Sequence, residues 1–298
     1  MTTNTSETVV PGSVSPSSPP TEPRRKSARS RLAEFMEAYV LLVLLVVVVL
    51  FFSFYPPTAA TFPSWANLQI TLGSQAVVAM VAVGALVPLI CNQWDLSIGA
   101  TAGLSSIVVA TAFAAGASIP RAVATGLGVG LAVGIFNSIL VIRGRVNVII
   151  ATLGVSTLIA GIINQMTDGL PVNSNIPQTI TDFGTGTWLG IPLVVYVLGV
   201  IAVAIYYLLE HTPLGRQLYA LGSNPEAARL VGLRTNVLIA TAFIVAAAVC
   251  ALAGLLLVAR SGGANPRSGE LILLPALAAA FLSAASIKPG RYNVGGVL

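Results

Sequence analysis

The stretch TPLGRQLYALGSNPEAARLVG, Thr212–Gly232, is a polar interruption between two apolar runs, which we place at 191–209 and 237–258. Each run is long enough to cross a bilayer as a helix, because a transmembrane helix needs about 20 predominantly apolar residues. Apolar runs separated by short polar connections recur along most of the chain. The pattern predicts an all-α protein, a polytopic transmembrane helical bundle.

The same stretch carries the start and stop signals of a short helix. Asn224 can act as the N-cap, Pro225 suits the first helical position, and Gly232 can adopt the left-handed conformation that ends a helix. The predicted helix, Pro225–Val231, is only about two turns or roughly 10 Å long. Because helices that short are marginal alone in water, we expect this one to dock against a partner protein. An ordinary solvated loop helix is the alternative.

The composition supports a membrane protein. The chain is 55% hydrophobic and only 8% charged, whereas soluble domains carry about 25% charged residues. So few charges cannot cover a globular surface in water. Its two cysteines, Cys91 and Cys250, and its one histidine, His211, are too few for a metal-ligand cluster, and we expect both cysteines to be free and buried.

Hydropathy places the remaining spans on either side of this stretch. We predict a disordered basic cytoplasmic tail at 1–31, then a transmembrane domain at 32–298 whose first, uncleaved span covers 38–55. A cleaved signal peptide is the alternative, but aromatic residues and proline follow the apolar core where a cleavage site would lie. An apolar segment at 271–286 contains Pro275 and is predicted to be a half-span or re-entrant element. About eight spans or half-spans result, the others at 67–91, 97–117, 121–142, 147–167, 191–209 and 237–258.

The distribution of basic residues predicts the orientation. If the N-terminus is cytoplasmic and the spans alternate, twelve of the 15 Lys and Arg residues fall on the cytoplasmic side. That asymmetry follows the positive-inside rule, and it places the loop 210–236 in the cytoplasm. Because topology accounts for the net charge of +5, we predict no nucleic-acid partner.

A few polar residues interrupt the apolar sequence and are candidates to line a translocation path. A charge at mid-membrane costs at least about 2.5 kcal/mol, so we place Asp95 near a membrane face or beside a watery cavity. Its carboxylate could instead cap the following helix around Ser97. Amides within or beside spans either bridge helices or line a pore. The candidate path residues are Asn92, Gln93, Asp95, Asn137 and Asn164.

Gly126, Gly130 and Gly134 recur every four residues within one predicted span. They form a flat strip on which a neighbouring helix can approach closely. Static packing and a seam that slides during gating are both consistent with this pattern.

The sequence contains no arrangement typical of an enzyme. We find no acid–base pair, metal set or nucleophile–base pair, so no catalytic or metal-binding residue is predicted. The GxxxxGK(S/T) loop that cradles nucleotide phosphates is also missing, so the chain binds no ATP by that device. Intramembrane carboxylates are too few for a proton relay. Active transport would therefore need an external source of energy.

Several motifs, in their order and spacing, resemble the membrane-spanning permeases of bacterial ATP-binding-cassette (ABC) importers. The resemblance covers most of residues 67–298 and is strongest to the ribose/simple-sugar type, which has branched-chain amino acid relatives. Glu226, Ala227, Ala228 and Gly232 follow the E-A-A-x-x-x-G pattern of such permeases. The matching segments are DLSIGA at Asp95–Ala100, GLAVGIFNSILVIRGRVNVIIATLG at Gly130–Gly154, TPLGRQLYALGSNPEAARLVGL at Thr212–Leu233, and LAGLLLVARSGGANPRSGE at Leu252–Glu270.

The resemblance implies the partners of an importer. A second permease subunit, a copy or a paralogue, would complete the pathway in a bacterial inner or plasma membrane, surrounded by lipid. Cytoplasmic ABC ATPase subunits would hold ATP and Mg²⁺, and an extracellular or periplasmic solute-binding protein would deliver the solute. The permease itself would bind no cofactor and would not be an enzyme.

The resemblance also implies that the loop 210–236 couples the permease to the ATPase. Ala227 and Ala228 are small enough to let the helix backbone approach a groove, Leu230 offers an apolar contact beside Val231, and Glu226 and Arg229 can form rim ion pairs. The implied coupling residues are Asn224, Pro225, Glu226, Ala227, Ala228, Arg229, Leu230 and Gly232.

Two features of the sequence depart from the family pattern. Asn147 stands where the family often has proline, and family members, with about ten spans, continue for roughly another pair beyond the position of Leu298. We therefore expect the transmembrane domain to be C-terminally incomplete. The alternative functions are a permease of the same type for a non-sugar solute, an ion-coupled secondary transporter, and a truncated paralogue that does not transport.

Overall fold

The structure, a computed structural model, describes residues 43–284 and 290–298. The predicted tail 1–31, the first residues of the span predicted at 38–55 and the last residues of the segment at 271–286 lie outside the described residues. The chain divides into two units, Met1–Val48 and Val49–Leu298. Only residues 43–48 of the first unit are described, and all six are helical. The remaining description concerns the second unit.

The described elements are almost all helices. Helix α1 covers Val43–Phe54. It is followed by α2 (Trp65–Ile90), α3 (Ile98–Ala114), α4 (Ile119–Ile142), α5 (Val148–Thr167), α6 (Gln178–Thr185), strands β1 (Thr187–Trp188) and β2 (Ile191–Pro192), α7 (Leu193–His211), α8 (Pro213–Ser223), α9 (Pro225–Leu230), α10 (Thr235–Ser261), α11 (Ser268–Ser283) and a 3₁₀ turn at Val294–Gly296.

Among the described residues, five helices are long and apolar enough to cross a membrane: α2, α4, α5, α7 and α10. Helices α1, α3 and α11 are apolar but shorter. Together they coincide with the eight apolar segments predicted from hydropathy. The predicted all-α polytopic membrane bundle is therefore confirmed.

Helices α2 and α10 form the centre of the bundle. They pack antiparallel, because Gly73 near the start of α2 meets Arg260 while Gly84 meets Val249. Small residues permit this close approach, and a Cβ added to Gly84 would lie 3.2 Å from Val249 Cβ. Helices α3 and α4 also pack against α10. Helices α4, α5 and α7 keep wide apolar faces exposed, which suits contact with lipid or with another membrane subunit.

The start of α2, the end of α10 and the β-hairpin define one end of the bundle, which we call the hairpin end. There the Gln69 side-chain amide donates to the Gly190 carbonyl at 2.7 Å, and Val172 forms an antiparallel bridge with Ala264. The hairpin closes through Leu189 and Gly190, with φ of 51° and 81°, as a two-residue turn with two left-handed residues requires. We call the opposite end, which carries α8 and α9, the loop end.

Helix α11 begins inside the bundle, not at its hairpin end. Gly254 of α10 packs against α3, where an added Cβ would lie 2.9 Å from Ser105 Cβ. A Cβ on Gly269, at the start of α11, would lie 3.2 Å from Gly103 Cα, at nearly the same depth. Because α10 continues seven residues beyond Gly254, roughly 10 Å, the segment 262–267 must return inward. This geometry matches the half-span or re-entrant element predicted near Pro275.

Candidate functional site

The short helix predicted in the polar loop is present as α9, Pro225–Leu230. It is one residue shorter than predicted from the sequence. The Asn224 side-chain oxygen accepts hydrogen bonds from the backbone N–H of Glu226 at 3.1 Å and of Ala227 at 3.0 Å. Because these N–H groups have no partner within the helix, the cap stabilises its first turn. The N-cap is the residue that the sequence predicts.

The C-terminal end of α9 is closed by a left-handed glycine. Gly232 has a φ of +83°, and the Leu233 N–H donates to the Ala228 carbonyl at 3.0 Å. This bond across five residues, after a residue with positive φ, is typical of a Schellman motif. Two caps thus hold a helix of only six residues in a defined shape.

The structure corrects the expectation for Ala228. Its side chain is only 3% exposed and belongs to the apolar core of this chain, so it anchors α9 instead of facing a partner. The reason is the turn at Gly232, which folds the chain back towards α10 and places one face of α9 against its own subunit. Glu226, Ala227 and Arg229 are exposed.

The outer end of α9 presents apolar side chains to the surroundings. Leu230 is 88% exposed and Val231 is 76% exposed. Both stand beside Glu226 and Arg229 in an otherwise polar loop. An apolar centre with charged neighbours is the usual composition of a protein–protein contact.

Helix α8 is part of the loop that sequence reasoning missed. The Thr212 hydroxyl accepts from the Gly215 N–H at 3.3 Å as its N-cap, and Leu218 and Leu221 are buried. A signal was present in the sequence, since a threonine precedes Pro213 and leucines recur at helical spacing. The loop therefore contains two helices, of which α8 packs against the bundle and α9 projects from it.

Helix α8 is fixed to the end of α2. The backbone of Gly222 lies so close to the Ile90 carbonyl that no side chain could be added there. The Asn92 side-chain amide donates to the Gly222 carbonyl at 2.7 Å. The candidate path residue Asn92 thus ties α8 to α2, while its side chain stays partly open to the surroundings.

A second attachment joins α8 to the C-terminal segment. The Arg291 guanidinium lies 3.7 Å from the centre of the Tyr219 ring and 3.5 Å from a Glu210 carboxylate oxygen. The Tyr219 hydroxyl donates to the Tyr292 carbonyl at 2.9 Å. Burial raises the pKa of the Tyr219 phenol, although the charge of Arg291 opposes that shift, so the hydroxyl remains a donor at neutral pH. These contacts join α8 to Arg291 and Tyr292 of the segment after α11.

Two other candidate path residues belong to one buried hydrogen-bond chain. The Asn137 side-chain amide donates to the Ser97 hydroxyl at 2.7 Å, and that hydroxyl donates to an Asp95 carboxylate oxygen at 2.7 Å. Asp95 is 4% exposed and Asn137 is 1% exposed. The Asp95 carboxylate also accepts from the Ser97 N–H at 2.8 Å. Of the roles that the sequence left open, these contacts correspond to helix capping and helix bridging between α3 and α4.

Replacing Ser97 by alanine should destabilise the bundle. The change leaves both the Asn137 amide and the Asp95 carboxylate short of a buried partner, which costs about 1–3 kcal/mol. Thermal unfolding of the purified protein in detergent would measure the loss. Ser138→Ala is the matched control, because the Ser138 hydroxyl donates only to the Ile135 carbonyl within its own helix. Equal stability of the two variants would contradict a bridging role.

The last two candidate path residues differ in environment. The Gln93 side-chain amide donates to the Cys91 carbonyl at 3.3 Å, while its oxygen is buried without a hydrogen-bond partner among the described residues. Asn164, on α5, is exposed. It lies on a face of α5 that packs against no described element and is unusually rich in small and polar residues: Gly154, Thr157, Gly161, Asn164, Gln165 and the adjoining Asp168. Of this face, only Asn164 is among the path residues predicted from the sequence.

The glycine strip of α4 faces two neighbouring helices. Gly126 meets Val109 and Ser105 of α3, whereas Gly134 meets α10, where an added Cβ would lie 2.9 Å from the Phe243 carbonyl oxygen. Gly130 meets the same helix at Ala251. The strip thus sets how closely α4 approaches both helices.

Within residues 43–284 and 290–298, no cluster of three or more His, Cys, Asp or Glu side chains could hold a metal ion. Cys91 and Cys250 are both free and buried, as predicted. The features that stand out are therefore surfaces and helix ends: the projecting α9, its attachments through α8, and the polar face of α5.

Comparison with known proteins gives these features a context. The ribose import permease protein RbsC of Escherichia coli K12 is 34% identical over 235 residues, which cover 78% of this chain and 73% of the relative. RbsC of Bacillus subtilis 168 is 31% identical over 233 residues, 78% of this chain and 72% of the relative. The autoinducer 2 import system permease protein LsrC of Photorhabdus laumondii is 28% identical over 235 residues, 79% of this chain and 70% of the relative. No solved structure matches the chain.

A family match covers most of the transmembrane domain. Residues 67–296 match the family described as branched-chain amino acid transport system / permease component. The match begins in α2, extends through α8 and α9, and ends in the 3₁₀ turn. The chain therefore belongs to this family of transport-system permeases.

Proposed function

We propose that the chain is the permease subunit of an ATP-driven importer for a sugar or a similar polar solute, and that α9 is where it meets a cytoplasmic ABC ATPase. The exposed apolar end of α9 carries the proposal. Leu230 and Val231 stay largely uncovered although two caps hold the helix in one shape. A partner that buries them would gain free energy from the apolar contact.

The attachments of α8 give the coupling a physical route. A movement of the ATPase would displace α9, which is joined to α8 at the shared cap Asn224. Helix α8 in turn holds the end of α2 through Gly222, and residues 290–296 through Tyr219 and Arg291. Both α2 and the segment after α11 would then shift with the ATPase, as alternating access requires.

The polar face of α5 is the proposed wall of the pathway. Gly154, Thr157, Gly161 and Asn164 point away from the described bundle, and polar groups are costly in contact with lipid tails. A second permease subunit, a copy or a paralogue, would cover this face and enclose a water-filled path between the two. ATP and Mg²⁺ would be held by the ATPase, and an extracellular or periplasmic binding protein would deliver the solute.

The orientation belongs to the same proposal. With the N-terminus in the cytoplasm, the loop end that carries α8 and α9 is cytoplasmic and the hairpin end is external. The arginines Arg143, Arg145, Arg216, Arg229 and Arg234 then all lie on the cytoplasmic side. The protein would sit in a bacterial plasma or inner membrane, with its exposed apolar faces against lipid.

Reconstitution tests the proposal directly. The chain, its ATPase and its binding protein are incorporated into proteoliposomes, and uptake of radiolabelled D-ribose and L-leucine is followed. We expect ribose uptake that requires ATP and the ATPase and persists when ionophores collapse ion gradients. Uptake without the ATPase that an ionophore abolishes would instead establish an ion-coupled transporter. Uptake of leucine but not ribose would identify an amino acid permease. A complex that assembles but takes up neither solute would identify a non-transporting paralogue.

A further inference from the structure

A cleft of about 280 Å³ opens between α3, α5 and the start of α11. Its wall combines small, polar and apolar side chains. The residues that matter here are Ala100, Ser156, Ala160, Glu270, Ile159 and Leu273. A cleft of this size is at the lower limit of small-molecule pockets, about 300–1,000 Å³, so it suits a solute the size of a single sugar ring.

The cleft lies deep within the bundle. Ser156 is the ninth of the twenty residues of α5, near the middle of a span. Glu270 belongs to the first turn of α11, which begins inside the bundle because the segment 262–267 returns inward. The cleft is therefore at mid-membrane depth, adjacent to the polar face of α5.

Glu270 is the residue that needs an explanation. Its side chain is exposed, and in the described ranges no arginine, lysine or histidine lies within ion-pair distance of it. An ionisable group at this depth is costly in contact with lipid and usually marks a substrate or ion pathway. Glu270 lies on the cleft wall, so its carboxylate is a hydrogen-bond acceptor available to an occupant of the cleft.

We propose that this cleft binds a neutral polyhydroxylated solute during its passage, with Glu270 accepting hydrogen bonds from solute hydroxyl groups. Ser156 supplies a further hydroxyl, and the apolar side chains of Ile159 and Leu273 contact the C–H faces of the solute. This assignment rests on the proposed function and extends it to a specific site and solute class.

The charge of the cleft distinguishes solute classes. A free amino acid would bring its own carboxylate close to Glu270, and no side chain that lines the described cleft carries a positive charge to offset the repulsion. A neutral polyol has no such charge and many donors. Hydrogen bonds to a charged acceptor are stronger than neutral ones, so the cleft favours hydroxylated solutes over amino acids.

Two measurements on the reconstituted complex test the assignment. In the first, Glu270→Ala should lower ATP-dependent D-ribose uptake about 10- to 100-fold, because a charge-assisted hydrogen bond is lost, whereas Leu271→Ala should transport at the wild-type rate. Leu271 is a matched control because it is the next residue of α11, is exposed and does not line the cleft.

The second measurement is independent of turnover. Ala160→Cys places a thiol on the cleft wall, in a chain whose own described cysteines are buried. D-Ribose should slow its reaction with a water-soluble maleimide several-fold, and L-leucine should not. Asn175→Cys, exposed outside the cleft, should react at one rate with or without either solute.

The outcomes separate this inference from the proposed function. If the wild-type complex shows no ATP-dependent uptake of D-ribose or of another neutral sugar, the proposed function fails. If the wild type transports ribose while Glu270→Ala matches it, or ribose does not protect Ala160→Cys, the cleft is not the binding site. Should Glu270→Ala fail to reach the membrane, the protection experiment decides alone, because that chain retains Glu270.

Discussion

Replacing Leu230 by aspartate is expected to lower solute-stimulated ATP hydrolysis strongly while leaving the amount of protein in the membrane unchanged. Leu230 is 88% exposed, so the change removes no packing from the bundle itself. In the proposed complex the same side chain lies at the centre of the contact with the ATPase. A buried unpaired carboxylate there costs several kcal/mol, so coupled ATPase activity should fall at least about tenfold.

The control for this variant is Leu189→Asp, on the turn of the hairpin at the opposite end. Leu189 is 79% exposed and should tolerate the change with full coupling. Glu226→Lys and Ala227→Trp should resemble Leu230→Asp, because they alter the charge and the bulk of the same surface. Co-purification of the ATPase would show whether docking itself is lost. Full coupling in all three α9 variants would remove α9 from the docking site.

The spans could be predicted from the sequence because hydrophobicity and length alone decide which segments cross a membrane. The caps of α9 could be predicted for a similar reason, since Asn224, Pro225 and Gly232 act through their own backbone neighbours. Helix α8 was missed because Gly215 and Gly222 lower its intrinsic helix propensity. In the structure Gly215 lies close to the nearby Leu209 carbonyl, and Gly222 lies close to the Ile90 carbonyl of α2. The second of these is a tertiary contact that no local pattern contains.

The candidate site was harder to predict, because its geometry depends on contacts between residues far apart in the chain. Asp95 and Asn137 meet only through Ser97, across about 40 residues. Ala228 faces inward because of the chain reversal at Gly232. Glu270 marked only the end of a family motif in the sequence, and its depth depends on the inward return of 262–267. The residue types were enough to find most of the polar side chains of the site. Whether each one caps a helix, bridges two helices or lines a cleft depends on how the helices pack.

The other large effect is expected at Gly134, where α4 meets α10. A Cβ there would lie 2.7 Å from Ala247 Cβ and 2.9 Å from the Phe243 carbonyl oxygen. Neither atom can rotate away, because one is attached directly to the backbone and the other belongs to it. The two helices must therefore separate. Gly134→Ala should cost about 1–3 kcal/mol of stability, and Gly134→Leu should leave little folded protein.

Gly128 on the same helix is the matched control for this prediction, because an added Cβ there meets nothing within 4 Å. Gly128→Ala should be neutral or stabilising by up to about 1 kcal/mol, since alanine is the better helix former. The unfolding temperature in detergent would then fall for Gly134→Ala and stay the same or rise for Gly128→Ala, although the two positions are only six residues apart. If the glycines served only to make α4 flexible, both substitutions would change the stability in the same direction, because either alanine stiffens the helix. Opposite signs are the expected result of close packing between α4 and α10.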